Sequence, residues 1–228
     1  MFVDDYKIQI LFEDNHLLFV EKPFGVIVQE DSTKDMDLLN ILKDYLKCKY
    51  AKPGNIFLGL VHRLDRPAGG VMVFAKTSKA ASRLSEQVRN RSIGKTYFAV
   101  VEGILTKKED FLENWLVKNH DKNLVKVVDK HRDAKLAKLK YKVKMEKNNL
   151  SLIEVKLETG RFHQIRVQFS HIGHPLCGDL KYGGRQNTYY NGISLWAASL
   201  TIMHPTSKEE LKITSPMPDI FPWSLFVE

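Results

Sequence analysis

The sequence contains little cysteine and no long apolar run, and each shortage excludes a class of protein. Only two of the 228 residues are cysteines, Cys48 and Cys177, and they lie far apart without forming a C-x-x-C pair. This usage excludes a disulfide-rich scaffold and favours a reducing compartment, so we expect a cytoplasmic protein. No segment reaches the roughly 18 consecutive apolar residues of a transmembrane helix.

Targeting signals and repeats are lacking as well. Residues 1–6 are acidic and no apolar segment of signal-peptide type follows them, so a secretory signal is not expected. The chain shows no internal repeat, low-complexity tract or clear linker, and its hydrophobic content of 43% suffices for a sizeable core. We therefore expect one domain over residues 1–228, with a monomer as the default.

Positive charge is abundant and concentrated. The formal net charge is +8, and residues 118–147 alone carry eleven basic against four acidic side chains. Such an excess favours an anionic partner. Within this segment Lys138, Lys140, Lys142 and Lys144 alternate with Leu139, Tyr141, Val143 and Met145.

A period of two predicts a strand with an apolar inner side and a row of lysines outside. We call the four lysines the lysine stripe. Two interpretations remain open: the stripe binds RNA phosphates, or it is the solvated side of an edge strand that lysines protect from aggregation.

The hydrophobic periodicity predicts an α+β fold. We expect helices over 36–47 with Asp35 as N-cap, over 78–90 with Ser78 as cap, and over 162–172. Strands are expected within 8–20, 56–61, 71–75, 95–101, 136–146 and 150–158 and twice after Leu195, whereas 104–134 is poorly patterned apart from a short apolar run at 124–128. Because strands follow one another without regular βαβ alternation, we expect a mixed, mainly antiparallel sheet flanked by helices, with an active-site cleft.

A lone carboxylate stands out in the segment His62-Arg63-Leu64-Asp65-Arg66. It follows one apolar run and precedes the glycine pair Gly69-Gly70, so Asp65 is expected on a short loop between two strands. The flanking guanidiniums can keep Asp65 ionised and can bind a polyanion. The alternative is an ordinary surface ion pair on a turn.

A second polar cluster follows a predicted strand, from Thr159 to Arg166. If residues 162–172 are helical, Ile165, Phe169 and Ile172 form an apolar stripe, whereas His163, Arg166 and Ser170 share another face directed towards a cleft. The start of this helix also offers backbone N–H groups to an anion. The alternative is a common amphipathic helix with an exposed arginine.

A metal site is not expected. His171 and His174 form an H-x-x-H pair, but Gly173 and Pro175 should end the helix there. No cysteine or carboxylate completes a ligand set at a familiar spacing.

Four segments of the chain resemble, in order, the motifs of the RluA-type pseudouridine synthases. They are residues 11–25 with the Lys-Pro-x-Gly turn, 62–66 with the HRLD sequence, 95–103 with a tyrosine strand, and 159–166 followed by 173–183. One departure is that Ala68-Gly69 stands where the family usually has Thr-Ser, which removes two hydroxyls but not the carboxylate. The pattern starts near residue 8, so no S4 RNA-binding domain is expected before it.

The resemblance implies isomerisation of uridine to pseudouridine in structured RNA, either rRNA or tRNA, without cofactor or metal. It assigns the essential carboxylate to Asp65, whose role in attack at C1′, addition to C6 or removal of the 2′ proton stays open. Arg63 matches the arginine that flips the nucleotide, and Arg166 is expected to pair with Asp65. Tyr97 is expected to stack on the uracil with its hydroxyl near C5, and Ile165 to form an apolar wall.

Further RNA contacts are expected from His62, Arg161 and the lysine stripe. One alternative is a non-catalytic RNA-binding protein that keeps the fold, but such a protein would be expected to have lost Asp65 or Arg166. Another is a glycoside or phosphate-ester hydrolase, which normally needs a second carboxylate or a metal ion that neither motif provides.

Overall fold

In the computed structural model, the chain folds into two units built on antiparallel strands. Unit 1 comprises residues 1–94 and 197–216, and unit 2 comprises residues 95–196 and 217–228. The structure describes residues 2–3, 8–31, 34–51, 53–186, 189–190 and 192–227. Most of the acidic N-terminal hexapeptide lies outside these ranges. The expectation of a single domain stays a prediction.

The helices and strands of the described residues are numbered in chain order. The helices are α1 (Leu38–Tyr50), α2 (Ser78–Arg89) and α3 (Gln164–His171). The strands are β1 (Phe2–Val3), β2 (Ile8–Glu13), β3 (Leu17–Lys22), β4 (Gly59–Leu60), β5 (Gly69–Ala75), β6 (Gly94–Glu102), β7 (Glu109–Asn119), β8 (Leu124–Val128), β9 (Lys135–Lys147), β10 (Leu150–Leu157), β11 (Leu195–Met203) and β12 (Glu210–Thr214). Among these residues, no helix is both long and apolar enough to cross a membrane.

In unit 1 the strand order is β1-β2-β3-β5-β11, with β12 paired to β11 and β4 to β5. Every residue of β5 is buried, because this strand has a neighbour on each side and packs into the core. Phe19 of β3, Val73 of β5 and Leu84 of α2 belong to one cluster of fully buried side chains. The fully apolar sequence of β5 is what a strand buried on both faces requires.

In unit 2 the strand order is β6-β10-β9-β7-β8, and all these pairs are antiparallel. One face of this sheet is covered by α3: Val167 packs with Leu116 and Ala137, and the Phe169 ring contacts the Tyr141 ring at 5.3 Å. We call this side the α3 face and the opposite side the outer face. Side chains alternate between the two faces along each strand.

The predicted fold class, α+β with a mainly antiparallel sheet, is confirmed, whereas two predicted caps are wrong. Helix α1 is capped by Asp37, whose carboxylate accepts from the Asn40 N–H, and not by Asp35. Helix α2 is capped by Thr77 and not by Ser78. In both cases the capping oxygen reaches the N–H three residues on, and the neighbouring polar residue was equally suitable by type.

Two strand predictions also differ from the structure. The poorly patterned stretch contains the long strand β7. Its apolar/polar alternation is obscured because the aromatic residues Phe111 and Trp115 lie on the outer face while Asn114 lies on the α3 face. Asn114 is satisfied there by the Gln168 amide at 2.7 Å. The apolar run at 56–61 contributes only the two-residue strand β4. The short apolar run at 124–128 forms strand β8.

Candidate active site

Asp65 lies on the loop between β4 and β5 of unit 1, as the sequence predicted. The loop leans on β5, because His62 Nε2 accepts the Val73 N–H at 3.1 Å. It closes on itself as the Ala68 N–H donates to the Asp65 carbonyl at 3.0 Å. The Asp65 side chain is half-buried and that of Arg63 is exposed. A carboxylate is thus held on a short, bonded loop.

Lys22, at the end of β3, holds this loop through hydrogen bonds to its backbone. Its side chain is fully buried, and its ammonium donates to the carbonyls of Pro23 at 2.8 Å, Arg66 at 3.1 Å and Ala68 at 2.7 Å. An ammonium has three N–H donors, so these carbonyls saturate it. Two of them belong to residues just after Asp65. Lys22 therefore clamps the backbone that carries the carboxylate.

The charge of Lys22 is also coupled to Asp65. Burial lowers the pKa of the Lys22 ammonium from 10.5 to about 7, while the negative charge of Asp65 opposes this shift and the positive charge of Arg66 adds to it. Sequence reasoning missed Lys22 as a site residue. Its signal was the lysine that begins the Lys-Pro-x-Gly turn, at the end of a strand whose first four residues are buried.

The Arg66 guanidinium, expected from its place next to Asp65 to act on that carboxylate or on a polyanion, bonds Gly25 and Asp35. Its Nε donates to the Gly25 carbonyl at 3.0 Å, and the other end of its guanidinium pairs with Asp35 at 2.6 Å. The Gly25 N–H returns a bond to the Arg66 carbonyl at 2.9 Å. Arg66 therefore ties the Lys-Pro-x-Gly turn to the Asp65 loop.

The loss of the family's two hydroxyls leaves this anchoring intact. The Ala68 methyl is buried, and the bond to Lys22 comes from the Ala68 backbone carbonyl, which any residue supplies. The second glycine after Ala68 is constrained far more. Gly70 has φ +108°, and a Cβ there would lie 2.4 Å from the Ala197 carbonyl oxygen. Only glycine allows β5 to approach β11 so closely.

In unit 2, Tyr97 of β6 lies on the α3 face. It is the cross-strand partner of Val155, which is in turn the partner of Tyr141. The Tyr141 ring contacts Phe169 of α3, so all three strand side chains point to the helix side. Tyr97 is 8% exposed. Its ring is thus held by packing.

Arg166 of α3 is fixed by a carboxylate that sequence reasoning missed. Its Nε donates to Asp179 Oδ2 at 2.7 Å and its terminal nitrogen to Asp179 Oδ1 at 2.8 Å. Only 5% of the Arg166 side chain and 1% of the Asp179 side chain are exposed. A bidentate bond of this kind fixes the plane of the guanidinium.

Tyr182 supports the same arginine from a second side. The Arg166 guanidinium carbon lies 5.1 Å from the centre of the Tyr182 ring. The Tyr182 hydroxyl accepts the Val125 N–H at 2.9 Å and lies 2.8 Å from His163 Nδ1. The hydroxyl therefore links β8 to the residue that precedes α3. Asp179 and Tyr182 both belong to the Gly-rich segment 173–183. The carboxylate that follows Gly178 was the sequence feature from which a partner for Arg166 could have been predicted.

The predicted arrangement of the third helix is partly wrong. Helix α3 begins at Gln164, and His163 precedes it in a left-handed conformation with φ 51°. His163 therefore does not share a helical face with Arg166. Ile172 lies beyond the helix and is 36% exposed, whereas Ile165 is buried as expected. Arg166 is itself buried, so the helix is not an ordinary amphipathic one.

The H-x-x-H pair does not form a metal site among the described residues. Helix α3 ends at His171, and His174 Nδ1 instead bonds the Glu102 carbonyl at 2.8 Å. In the described ranges no three metal-binding side chains come together.

Three lysines of the stripe, Lys138, Lys140 and Lys142, lie on the outer face of unit 2. The predicted alternation fails beyond Val143, because the register with β10 shifts between Val143 and Met145, and Met145 is 37% exposed instead of lying on the inner side. Lys140 and Lys142 flank Tyr141 in β9, and Tyr141 points to α3, so the lysines point away from it. Lys138 pairs with Glu113 at 2.7 Å and Lys140 with Glu158 at 3.5 Å. Arg161, by contrast, donates from Nε to the Leu136 carbonyl at 3.0 Å, beside α3.

Comparison with known proteins supports one family. Residues 16–171 match the model of the RNA pseudouridylate synthase family. Ribosomal large subunit pseudouridine synthase D of Pseudomonas aeruginosa is 35% identical over 235 residues, covering 97% of this chain and 72% of the relative. Ribosomal large subunit pseudouridine synthase C of Buchnera aphidicola subsp. Schizaphis graminum is 32% identical over 215 residues, covering 91% of this chain and 67% of that protein.

Solved structures agree with the sequence relatives. Human RNA pseudouridylate synthase domain containing 4 is 25% identical, with a TM-score of 0.77 over 92% of this chain and 88% of the human chain. The family match covers more than half of the chain, and the named relatives exceed 30% identity over two thirds of their own length. This chain therefore belongs to the RluA-type RNA pseudouridine synthases, enzymes that isomerise uridine in RNA to pseudouridine.

Proposed function

We propose that this chain modifies uridine in large-subunit ribosomal RNA, with Asp65 as the carboxylate on which the isomerisation depends. The observation that carries the role of Asp65 is its loop, which the buried Lys22 ammonium clamps through the carbonyls on its C-terminal side. The choice of RNA rests on the relatives that are 32–35% identical and are named for the large ribosomal subunit. A ribosomal substrate fits the cytoplasmic location expected from the cysteine usage.

The reaction breaks the N1–C1′ bond of uridine and forms a C5–C1′ bond, while C5 loses a proton and N1 gains one. No electrons are exchanged with an external partner, so the balance needs no redox cofactor. A uridine inside a duplex cannot reach a carboxylate, so the nucleotide must first be flipped out at a cost of about a few kcal/mol. Arg63, exposed on the same loop as Asp65, fills the vacated space in this proposal.

Three residues then act on the flipped base. Asp65 is the nucleophile or base, Arg166 supports its charge, and Tyr97 packs on the uracil with its hydroxyl near C5. An ion-paired arginine suits this role because its guanidinium stays charged at every physiological pH. Ile165 forms an apolar wall, and His62 maintains the loop through its bond to β5.

The test is pseudouridine mapping on RNA from cells that lack the gene. Total ribosomal RNA and transfer RNA are purified, and each is treated with wild-type protein or with Asp65→Asn. We expect new pseudouridine at a defined position of large-subunit ribosomal RNA with wild-type protein alone. Modification confined to transfer RNA would overturn the substrate proposal, and modification by Asp65→Asn would overturn the role of the carboxylate.

A further inference from the structure

The cations of unit 2 fall into two groups on opposite faces of its sheet, and we propose that only one of them binds RNA. This group is the α3-face patch, formed by Lys118, Lys135 and Arg161, with Phe162 positioning Lys118. The proposal rests on RNA being the substrate and names the surface that receives the RNA backbone. The lysine stripe is then a solvated sheet face.

The strand register places both lysines of the patch on the α3 face. Lys135 is the cross-strand partner of Leu116, and Lys118 is the partner of Val125. Leu116 and Val125 are buried in the cluster that contains Val167 of α3. Both lysines are themselves exposed. Their ammonium groups therefore emerge at the rim of the core that α3 covers.

Aromatic stacking fixes Lys118 at the start of α3. Its Nζ lies 4.3 Å from the centre of the Phe162 ring, and that ring also stacks on the His163 ring at 3.8 Å. A cation over an aromatic face is attracted by the ring quadrupole. Lys118 is thus held in place before any ligand arrives, and Arg161 is held beside it by its bond to the Leu136 carbonyl.

The two groups of cations also differ in their electrostatic neighbours. Within the described ranges neither Lys118 nor Lys135 forms an ion pair, and their cross-strand partners are apolar. Three of the four lysines of the stripe face acids instead. Glu113 and Glu158 pair with Lys138 and Lys140.

Lys142 completes this picture, because its two cross-strand partners are Glu109 and Glu154. A phosphate that approached Lys138, Lys140 or Lys142 would have to displace these carboxylates, whereas a phosphate that approached Lys118 or Lys135 would displace no ion pair of the described residues. The patch is therefore the surface whose binding should release counterions from RNA.

The patch is also close to the residues proposed for the chemistry. Arg166 lies in the first turn of α3, which begins two residues after Phe162. His163, which stacks on Phe162, bonds the Tyr182 hydroxyl, and the Tyr182 ring supports Arg166. An RNA strand on the patch would thus pass beside Arg166, as the strand that carries the flipped uridine must.

The test compares two double variants, each of which removes two positive charges. Lys118→Ala with Lys135→Ala removes two cations from the patch, and Lys142→Ala with Lys144→Ala removes two from the stripe. Both are made in the Asp65→Asn background, so that turnover does not alter the RNA. Affinity is measured against salt concentration for a large-subunit ribosomal RNA fragment and for a transfer RNA, and thermal unfolding checks the fold.

We expect the patch variant to bind the preferred RNA on the order of tenfold more weakly, with a salt slope reduced by about 1.5. The stripe variant should keep both the affinity and the slope. Phe162→Leu should show a smaller loss than the patch variant, because Lys118 keeps its charge but loses its positioning.

An unchanged slope in the patch variant, or an equal loss in the stripe variant, would overturn the proposal. The use of two RNAs separates this outcome from failure of the substrate proposal. If the enzyme prefers transfer RNA, the ribosomal substrate is wrong, yet the patch must still be required for binding to transfer RNA.

Discussion

Arg166 and Asp179 form a bidentate ion pair that is almost fully shielded from water, with bond lengths of 2.7 and 2.8 Å. Tyr182 lies against the same guanidinium. The guanidinium proposed to support Asp65 is therefore held in one orientation before the reaction begins. Its orientation is set by the compact turn that carries Asp179.

Asp179→Ala should damage both stability and chemistry. It leaves a buried guanidinium without its carboxylate, which typically costs about 3–5 kcal/mol. We expect a lower urea midpoint and a single-turnover rate that falls more than RNA affinity does. The matched control is Asp110→Ala, which breaks an exposed pair with Lys107 and should leave both properties near wild type. Equal losses in affinity and rate for Asp179→Ala would contradict the positioning role.

Lys22→Met should loosen the Asp65 loop while keeping the side-chain volume. The carbonyls of Pro23, Arg66 and Ala68 lose the Lys22 ammonium, although the Arg66 carbonyl keeps the Gly25 N–H, and each buried carbonyl left unsatisfied costs about 1–3 kcal/mol. We expect reduced stability in urea unfolding and a reduced turnover rate. Lys79→Met, at an exposed position of α2, serves as the control. A Lys22→Met enzyme with wild-type turnover would show that the clamp is dispensable.

The coupling between Lys22 and Asp65 can be measured directly by NMR titration of the lysine side chain. The pKa of Lys22 is lowered to about 7 by burial, and the negative charge of Asp65 limits that shift. Asp65→Asn removes this charge, so the pKa of Lys22 should fall further. An unchanged or higher value would mean that the two groups do not interact.

Glu13 should make the fold sensitive to acid. Burial would raise the pKa of this carboxyl, yet the hydrogen bonds that it accepts bring the pKa from 4.5 down to about 2. The donors are Lys49, Lys76 and Tyr50. A lowered folded-state pKa stabilises the protein above pH 4.5, and this stabilisation of about 3 kcal/mol is lost as the pH falls towards 2.

Glu13→Gln should therefore lower the free energy of unfolding at pH 7 and flatten its dependence on pH between about 4.5 and 2. Chemical unfolding at several pH values measures both effects. Glu210→Gln, at an exposed position of β12, should retain the wild-type pH dependence. A Glu13→Gln curve parallel to the wild-type curve would refute the assignment.

Gly70→Ala should be far more harmful than Gly54→Ala. Both glycines have positive φ, but a Cβ at Gly70 meets the Ala197 backbone at 2.4 Å, whereas one at Gly54 meets nothing within 4 Å. We expect a loss of several kcal/mol, on the order of the largest single-residue effects, for Gly70→Ala alone. Thermal unfolding of the two variants makes the comparison. Similar melting temperatures would contradict the close approach of β5 to β11.

Sequence periodicity was sufficient to predict strands that have one apolar and one polar face, and β9 is the best example. It failed for β7, where aromatic residues on the outer face and an asparagine on the α3 face obscure the alternation. Caps were displaced by one or two residues because Asp35 and Asp37, or Thr77 and Ser78, are chemically equivalent as candidates. Only the backbone conformation selects between them.

The motifs located Asp65 and Arg166 but not the residues that hold them. Lys22 and Asp179 are buried charges, and burial of a charge is decided by distant backbone carbonyls or by a partner that the sequence does not specify. The face of the lysine stripe was unpredictable for the same reason. Alternation fixes that the lysines share one side, but only the packing of Tyr141 on Phe169 decides which side that is.

The most direct measurement of the central claim is single-turnover tritium release from RNA labelled at uridine C5, with wild-type protein and Asp65→Asn compared at saturating enzyme. RNA affinity is measured in parallel by a binding titration. If Asp65 is the carboxylate on which isomerisation depends, the variant binds RNA nearly as well as wild type and releases no tritium. Release at a rate near that of wild type would contradict this role.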